Sequence, residues 1–152
     1  MPEKKSSVLL EKERVRHLER HAEAILRQSP WLRPLHERLL ALGGRWPLLP
    51  VIEEDLARLL SRGEARRGPP VMRRGELSRC HANSACLWDA NKDKLELMTG
   101  YALSHDGIWR QHSWCWWPAR RKVVETTESR ILYYGYRMTP IEAEKFWEAN
   151  AL

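Results

Sequence analysis

Three residue types that can work together follow one another in the second half of the chain. Cys80 stands in "SRCHANSACLWDANKDK", His112 in "GIWRQHSWCWWPARR" and Glu125 in "RKVVETTESR". A thiol, an imidazole and a carboxylate in that order are the parts of a nucleophile, its general base and the group that fixes the base's tautomer. Cysteine and histidine are equally the ligands of zinc, and Cys80, Cys86, His105, His112 and Cys115 supply the right types. Their spacing lacks a paired Cys-x-x-Cys knuckle, and His112 and Cys115 fall on opposite faces of a strand. A site built from Cys80, His112 and one further ligand stays open as an alternative. So does a core that merely contains these residues.

The chemistry depends on the elements that carry the three side chains. No proline or glycine interrupts the span from Cys80 to about Asp89, so it reads as a helix with Ser78 as its N-cap and Cys80 in its first turn. A thiol placed there feels the positive end of the helix dipole, which favours thiolate, and Arg79 adds positive charge. "KLELMTGYALS" and "GIWRQHSWCWWP" meet at "HDG", a hairpin signal, and "RKVVETT" and "RILYYGYRM" read as third and fourth strands. Alternation along the second strand puts Gln111, Ser113 and Cys115 on one face and Arg110, His112, Trp114 and Trp116 on the other. "TPIEAEKFWEAN" closes the chain as a helix with a capping box from Thr139 and Glu142.

Residues 1–65 read as a helical segment. Leu18, Ala22, Ile25 and Leu26 form one apolar stripe behind a cap at Ser6 or Ser7, Pro30 and Gly43 bracket a second helix, and Ile52, Leu56, Leu59 and Leu60 mark a third. Residues 66–79, rich in Arg, Gly and Pro, read as a linker, and 80–152 as the core that holds the chemistry. The fold class expected is α+β, a Cys-bearing helix packed on an antiparallel sheet.

This arrangement resembles the papain-like superfamily of cysteine hydrolases in the broad sense that includes transglutaminase-like and NlpC-type amidases. The resemblance spans Cys80 to about Tyr136 and rests on "CHANSACLW", "WRQHSW" and "VVETT"; "HSW" and the acidic residue on the valine-rich strand after it are similar to the His and Asp strands of transglutaminase-like proteins. It implies a papain-like core in which Cys80 attacks the carbonyl carbon of a protein, peptide or other amide substrate, His112 moves the proton, and Glu125 orients His112. No cofactor is called for. The third position departs from the commoner Asp or Asn, and no recognisable glutamine precedes Cys80 to supply an oxyanion donor. Asn83, Gln111 and the backbone N–H of Cys80 are the substitutes, and Trp114 joins Gln111 as a candidate for the cleft wall.

The remaining candidates have plainer readings. His81 points away from Cys80 by helical rotation and reads as a packing or capping residue, Cys86 and Cys115 as core, and His105 as a solvated turn residue. Trp109, Trp114, Trp116 and Trp117 suit a sheet core or an aromatic-walled groove. A formal net charge of +6 comes from local runs, notably Arg66, Arg67, Arg73, Arg74 and Arg79, and Arg120 to Lys122. That charge suits an acidic partner at the Arg-rich linker, and no nucleic-acid motif accompanies it. A basic, Trp-rich interaction module without catalysis is therefore a further alternative. Three cysteines, no signal-peptide pattern and no membrane-length apolar window lead to the expectation of reduced thiols in the cytoplasm.

Overall fold

The computed structural model describes residues 6–151. It has the expected α+β class, with a helical N-terminal segment. Among the described residues no helix is long and apolar enough to cross a membrane.

Helix α1 (Ser7–Gln28) opens with Ser6 Oγ accepting the N–H of Leu9, which satisfies one of the orphan donors of its first turn. Only Leu26 of its stripe is fully buried, while Leu18, Ala22 and Ile25 are half-buried. A 3-10 turn (Pro30–Leu32) leads into α2 (Arg33–Leu42), whose Leu35 and Leu39 are wholly buried. The third helix, α3 (Leu56–Arg62), is shorter than the sequence suggests. Residues before it form a turn because the Glu53 carboxylate accepts the N–H of Asp55 and the Glu53 carbonyl accepts that of Leu56. Ile52 consequently sits outside the helix, exposed to solvent.

Three short strands escape the sequence pattern: β1 (Trp46–Pro47), β2 (Glu64–Arg67) and β3 (Val71–Met72). Helix α4 (Cys80–Ala90) follows, then β4 (Glu96–Leu103), β5 (Ile108–Trp117), β6 (Lys122–Glu125), β7 (Leu132–Arg137) and α5 (Pro140–Asn150). The sheet has seven strands, six in the order β2-β7-β4-β5-β6-β3, with β1 pairing beside β5. Residues 66–79 are therefore not a linker between a helical segment and a core. They begin in β2 on one edge of the sheet and supply β3 on the other, so the N-terminal segment and the residues after Cys80 share one sheet.

Alternation gives the sheet two apolar faces. Leu97, Tyr101, Trp109, Cys115, Tyr134 and Tyr136 pack with the helices, while Met98, Ala102, Trp114, Trp116, Val123 and Tyr133 form a second cluster on the opposite face. That second face is buried because the sheet curls, bringing the Arg66 guanidinium of β2 to 4.8 Å from the Trp116 ring of β5. Beside His112 the register row continues through Gly100 and Gly135. A methyl group on Gly135 would lie 2.4 Å from the Thr99 carbonyl oxygen and 2.7 Å from the Trp114 ring, so the glycine is what admits that ring.

Helix α5 has both halves of its capping box, Thr139 Oγ1 accepting from Glu142 N and the Glu142 carboxylate accepting from Thr139 N. Arg58 and Arg62 of α3 hold the same carboxylate at 2.7 and 2.8 Å, tying α3 to α5.

Candidate functional site

The site lies at an interruption of the sheet. Along the edge of β5 opposite β4, β1 pairs only with Ile108 and Trp109, and β6 only with Cys115 to Trp117. Residues 110–114 have no strand partner on that side among the described residues. The N-terminus of α4 enters at this gap. Side chains from both faces of β5 thereby become accessible to the first turn of α4, His112 to Cys80 and Ser113 to His81.

Cys80 is the first residue of α4 and is half-buried. The cap position belongs to Arg79, with no side-chain capping bond, and not to Ser78. Ser78 instead takes φ +60°, a left-handed conformation that non-glycine residues avoid, in the turn that presents the thiol.

His112 and Glu125 are buried on β5 and β6. The imidazole Nε2 lies 2.8 and 2.9 Å from the two oxygens of Glu125. A carboxylate only accepts, so Nε2 carries the proton and Nδ1 is left for the thiol. Thr127 Oγ1 donates to Glu125 at 2.9 Å and the Tyr133 hydroxyl at 3.3 Å, which fixes the carboxylate from two further sides. Trp114 stacks on His112 with ring centroids 5.9 Å apart and an interplanar angle of 25°.

Electrostatics favour an ion pair. Burial pushes the Cys80 thiol up, but hydrogen bonds with His112 and His81, and the charges of both rings, outweigh it and bring its pKa down to about 5. Burial likewise works against the His112 imidazolium, while its hydrogen bonds to Cys80 and Glu125 prevail and raise it above the ordinary value. Cys115, by contrast, is pushed up to about 12 by burial alone. Its Sγ faces the Ser84 carbonyl at 3.4 Å, as a core thiol should.

Sequence reasoning misjudged three side chains here. Asn83 does not reach the thiol: its Nδ2 donates to the Glu76 carbonyl at 2.7 Å and its Oδ1 accepts from Glu76 N at 3.3 Å, so it pins the loop ahead of α4. Trp114 is wholly buried under His112 and forms no cleft wall. His81 is part of the site, because helical rotation matters little in a first turn that enters a gap open on both faces. Its Nδ1 lies 2.5 Å from Ser113 Oγ, which lies 2.8 Å from Thr99 Oγ1. The adjacency of His81 to Cys80 and the helix-facing position of Ser113 were the available signals.

Gln111 does border the cleft. It lines a cavity of about 330 Å³ with Cys80, His112, Arg110 and Arg130, and also a second of about 330 Å³ with His81, Glu53 and Phe146. Its Nε2 donates to Glu53 at 3.3 Å, and the Tyr101 hydroxyl donates to the same carboxylate oxygen. Gln111, Arg110 and Arg130 share the cavity with the thiol and, with the first-turn N–H groups of α4, are donors on its walls.

The zinc set is not assembled. Cys86, expected in the core, is instead exposed near the Ala151 carbonyl, His105 lies in the exposed turn between β4 and β5, and Cys115 is in the core. Among the described residues no group of three His, Cys, Asp or Glu side chains is placed to hold a metal ion. Trp109, Trp114 and Trp116 are core, and Trp117 is half-buried at the surface.

No protein-family model matches the chain, nor does any curated protein or solved structure compared with it.

Proposed function

We propose that the chain is a cysteine-dependent hydrolase or acyltransferase acting on an amide bond, of the papain-like kind. The observation that carries this reading is the convergence of Cys80 at a helix N-terminus, His112 with its Nε2 on both oxygens of Glu125, and the cavity that exposes the thiol. A core histidine would not need a buried carboxylate held by two more donors.

In this mechanism the Cys80 thiolate attacks the carbonyl carbon, and the developing oxyanion faces the first-turn N–H groups of α4 and the Gln111 amide. Collapse breaks the C–N bond, the His112 imidazolium gives its proton to the leaving amine, and a thioester remains on Cys80. Water then attacks, His112 takes its proton, and the carboxylic acid leaves as the thiolate returns. An amine in place of water gives acyl transfer. Glu125 stays ionised and holds His112 in the tautomer that directs Nδ1 to sulfur.

The test is acylation by p-nitrophenyl acetate. The reading expects a stoichiometric burst of p-nitrophenol, an acetyl group mapped to Cys80, and slow turnover that glycinamide accelerates if acyl transfer is available. A burst that survives Cys80→Ala, or an acetyl group that maps to Cys86 instead, overturns it.

A further inference from the structure

A third cavity, of about 290 Å³, opens at the other end of α4 and is lined by Arg73, Leu87, Lys94, Leu95, Trp117 and Val124. Asn91, where α4 ends, is eleven residues beyond Cys80, which places the cavity about 16 Å from the thiol along the helix axis at 1.5 Å per residue. Its floor is aliphatic and indole. Its rim is cationic: Arg73 and Lys94 at the mouth, Arg120 with its guanidinium 4.8 Å from the Trp117 ring, and Arg74, Arg121 and Lys122 beside them in the chain, all exposed.

Several other surface cations are neutralised by carboxylates. Arg58 and Arg62 are held by Glu142, Arg110 by Asp106 and Arg137 by Glu64. Among the described residues no carboxylate pairs with Arg73, Arg74, Lys94, Arg120, Arg121 or Lys122. The carboxylates nearest these cations in sequence are Asp93, Glu76, which is held by Arg79, Glu96, which is held by Arg137, and Glu125, which is buried on His112. An apolar recess inside a ring of unpaired cations has a definite complement, an apolar side chain flanked by acids.

We propose that this surface docks an acidic peptide segment that inserts one large apolar side chain between Leu87, Leu95, Trp117 and Val124 and sets its carboxylates against Arg73 and Lys94. A nucleic acid fits less well, because Trp117, with the Arg120 guanidinium 4.8 Å from its ring, is the single aromatic residue lining the recess and no second ring is there for successive bases to stack on. The surface is separate from the thiol and does not depend on its chemistry.

The test is fluorescence anisotropy on full-length protein carrying Cys80→Ala, with a fluorescein-labelled Asp/Glu peptide that has a central Leu-Trp pair. The comparison probes are the same peptide with Ser-Ser at its centre and a single-stranded oligodeoxynucleotide of equal charge. Saturable binding of the first probe is expected, weakened at least about tenfold by Ser-Ser and by the double substitution Arg73→Glu, Lys94→Glu, and falling between about 50 and 200 mM salt. Both substituted residues are exposed, and circular dichroism verifies that the fold is kept. No saturable binding, equal binding of the Ser-Ser peptide, equal or tighter binding of the oligonucleotide, or full affinity in the double variant would each overturn the proposal.

Discussion

The most direct consequence of the geometry concerns the rate at which Cys80 is alkylated as pH changes. With a pKa of about 5, Cys80 is about nine-tenths thiolate at pH 6, against about 0.3 % for an ordinary thiol of pKa about 8.5, a ratio near 300. A less basic thiolate attacks more slowly; a Brønsted coefficient of about 0.45, carried over from disulfide exchange, reduces it roughly 40-fold across about 3.5 pKa units. The net expectation is alkylation about 7-fold faster than an ordinary thiol at pH 6 and about 20-fold slower at pH 8.5. The assay is pulse labelling with iodoacetamide, resolved by peptide mass spectrometry. Exposed Cys86 serves as the rate reference, and buried Cys115 should label only after unfolding. His112→Gln keeps an N–H for Glu125 and removes the imidazolium, so the Cys80 midpoint should rise by more than about one unit while the fold persists. A wild-type midpoint at or above about 8, or one that His112→Gln leaves in place, would refute the ion-pair argument.

Other perturbations separate the site from the scaffold. Glu125→Gln should lose about 1–3 kcal/mol of stability in urea, since a buried acceptor of three donors becomes a mismatched amide, and should raise the Cys80 midpoint by weakening the imidazolium. Asn83→Ala should cost about 1–2 kcal/mol by freeing the loop at Glu76 while leaving the Cys80 midpoint unmoved; a moved midpoint would return Asn83 to the thiol. Thr139→Ala should cost about 1 kcal/mol in the same titration without altering Cys80 labelling, because the capping box lies on α5.

Much of the half after Cys80 was legible because its signals are local. Unbroken helical composition marks α4, period-two alternation and a Gly-containing turn mark β4 and β5, and Thr139, Pro140 and Glu142 announce α5. Alternation also separated His112 from Cys115, now found on the two faces of the sheet. Strands β1 and β3, two residues each, carry no period to read; they exist because β5 and β6 offer them an edge. The interruption along β5 follows from where those partners stop, a tertiary fact. That is why His81 and Asn83 were assigned from rotation along an isolated helix and came out reversed, and why Trp114 was placed in a cleft when it supports the imidazole from beneath.

The gap along β5 also has a temporal side. Helix α4 is made before any of the strands that activate its thiol, and its edges are drawn by segments as far apart in the chain as Trp46 and Lys122. A nascent chain that ends before His112 carries Cys80 beside His81 but without the imidazole that Glu125 holds. The full lowering of the Cys80 pKa needs β5 paired, Glu125 brought by β6 and the helix end seated at the gap between β1 and β6. Full activation of the thiol is thus a late property of folding, withheld from any chain that stops short of β6.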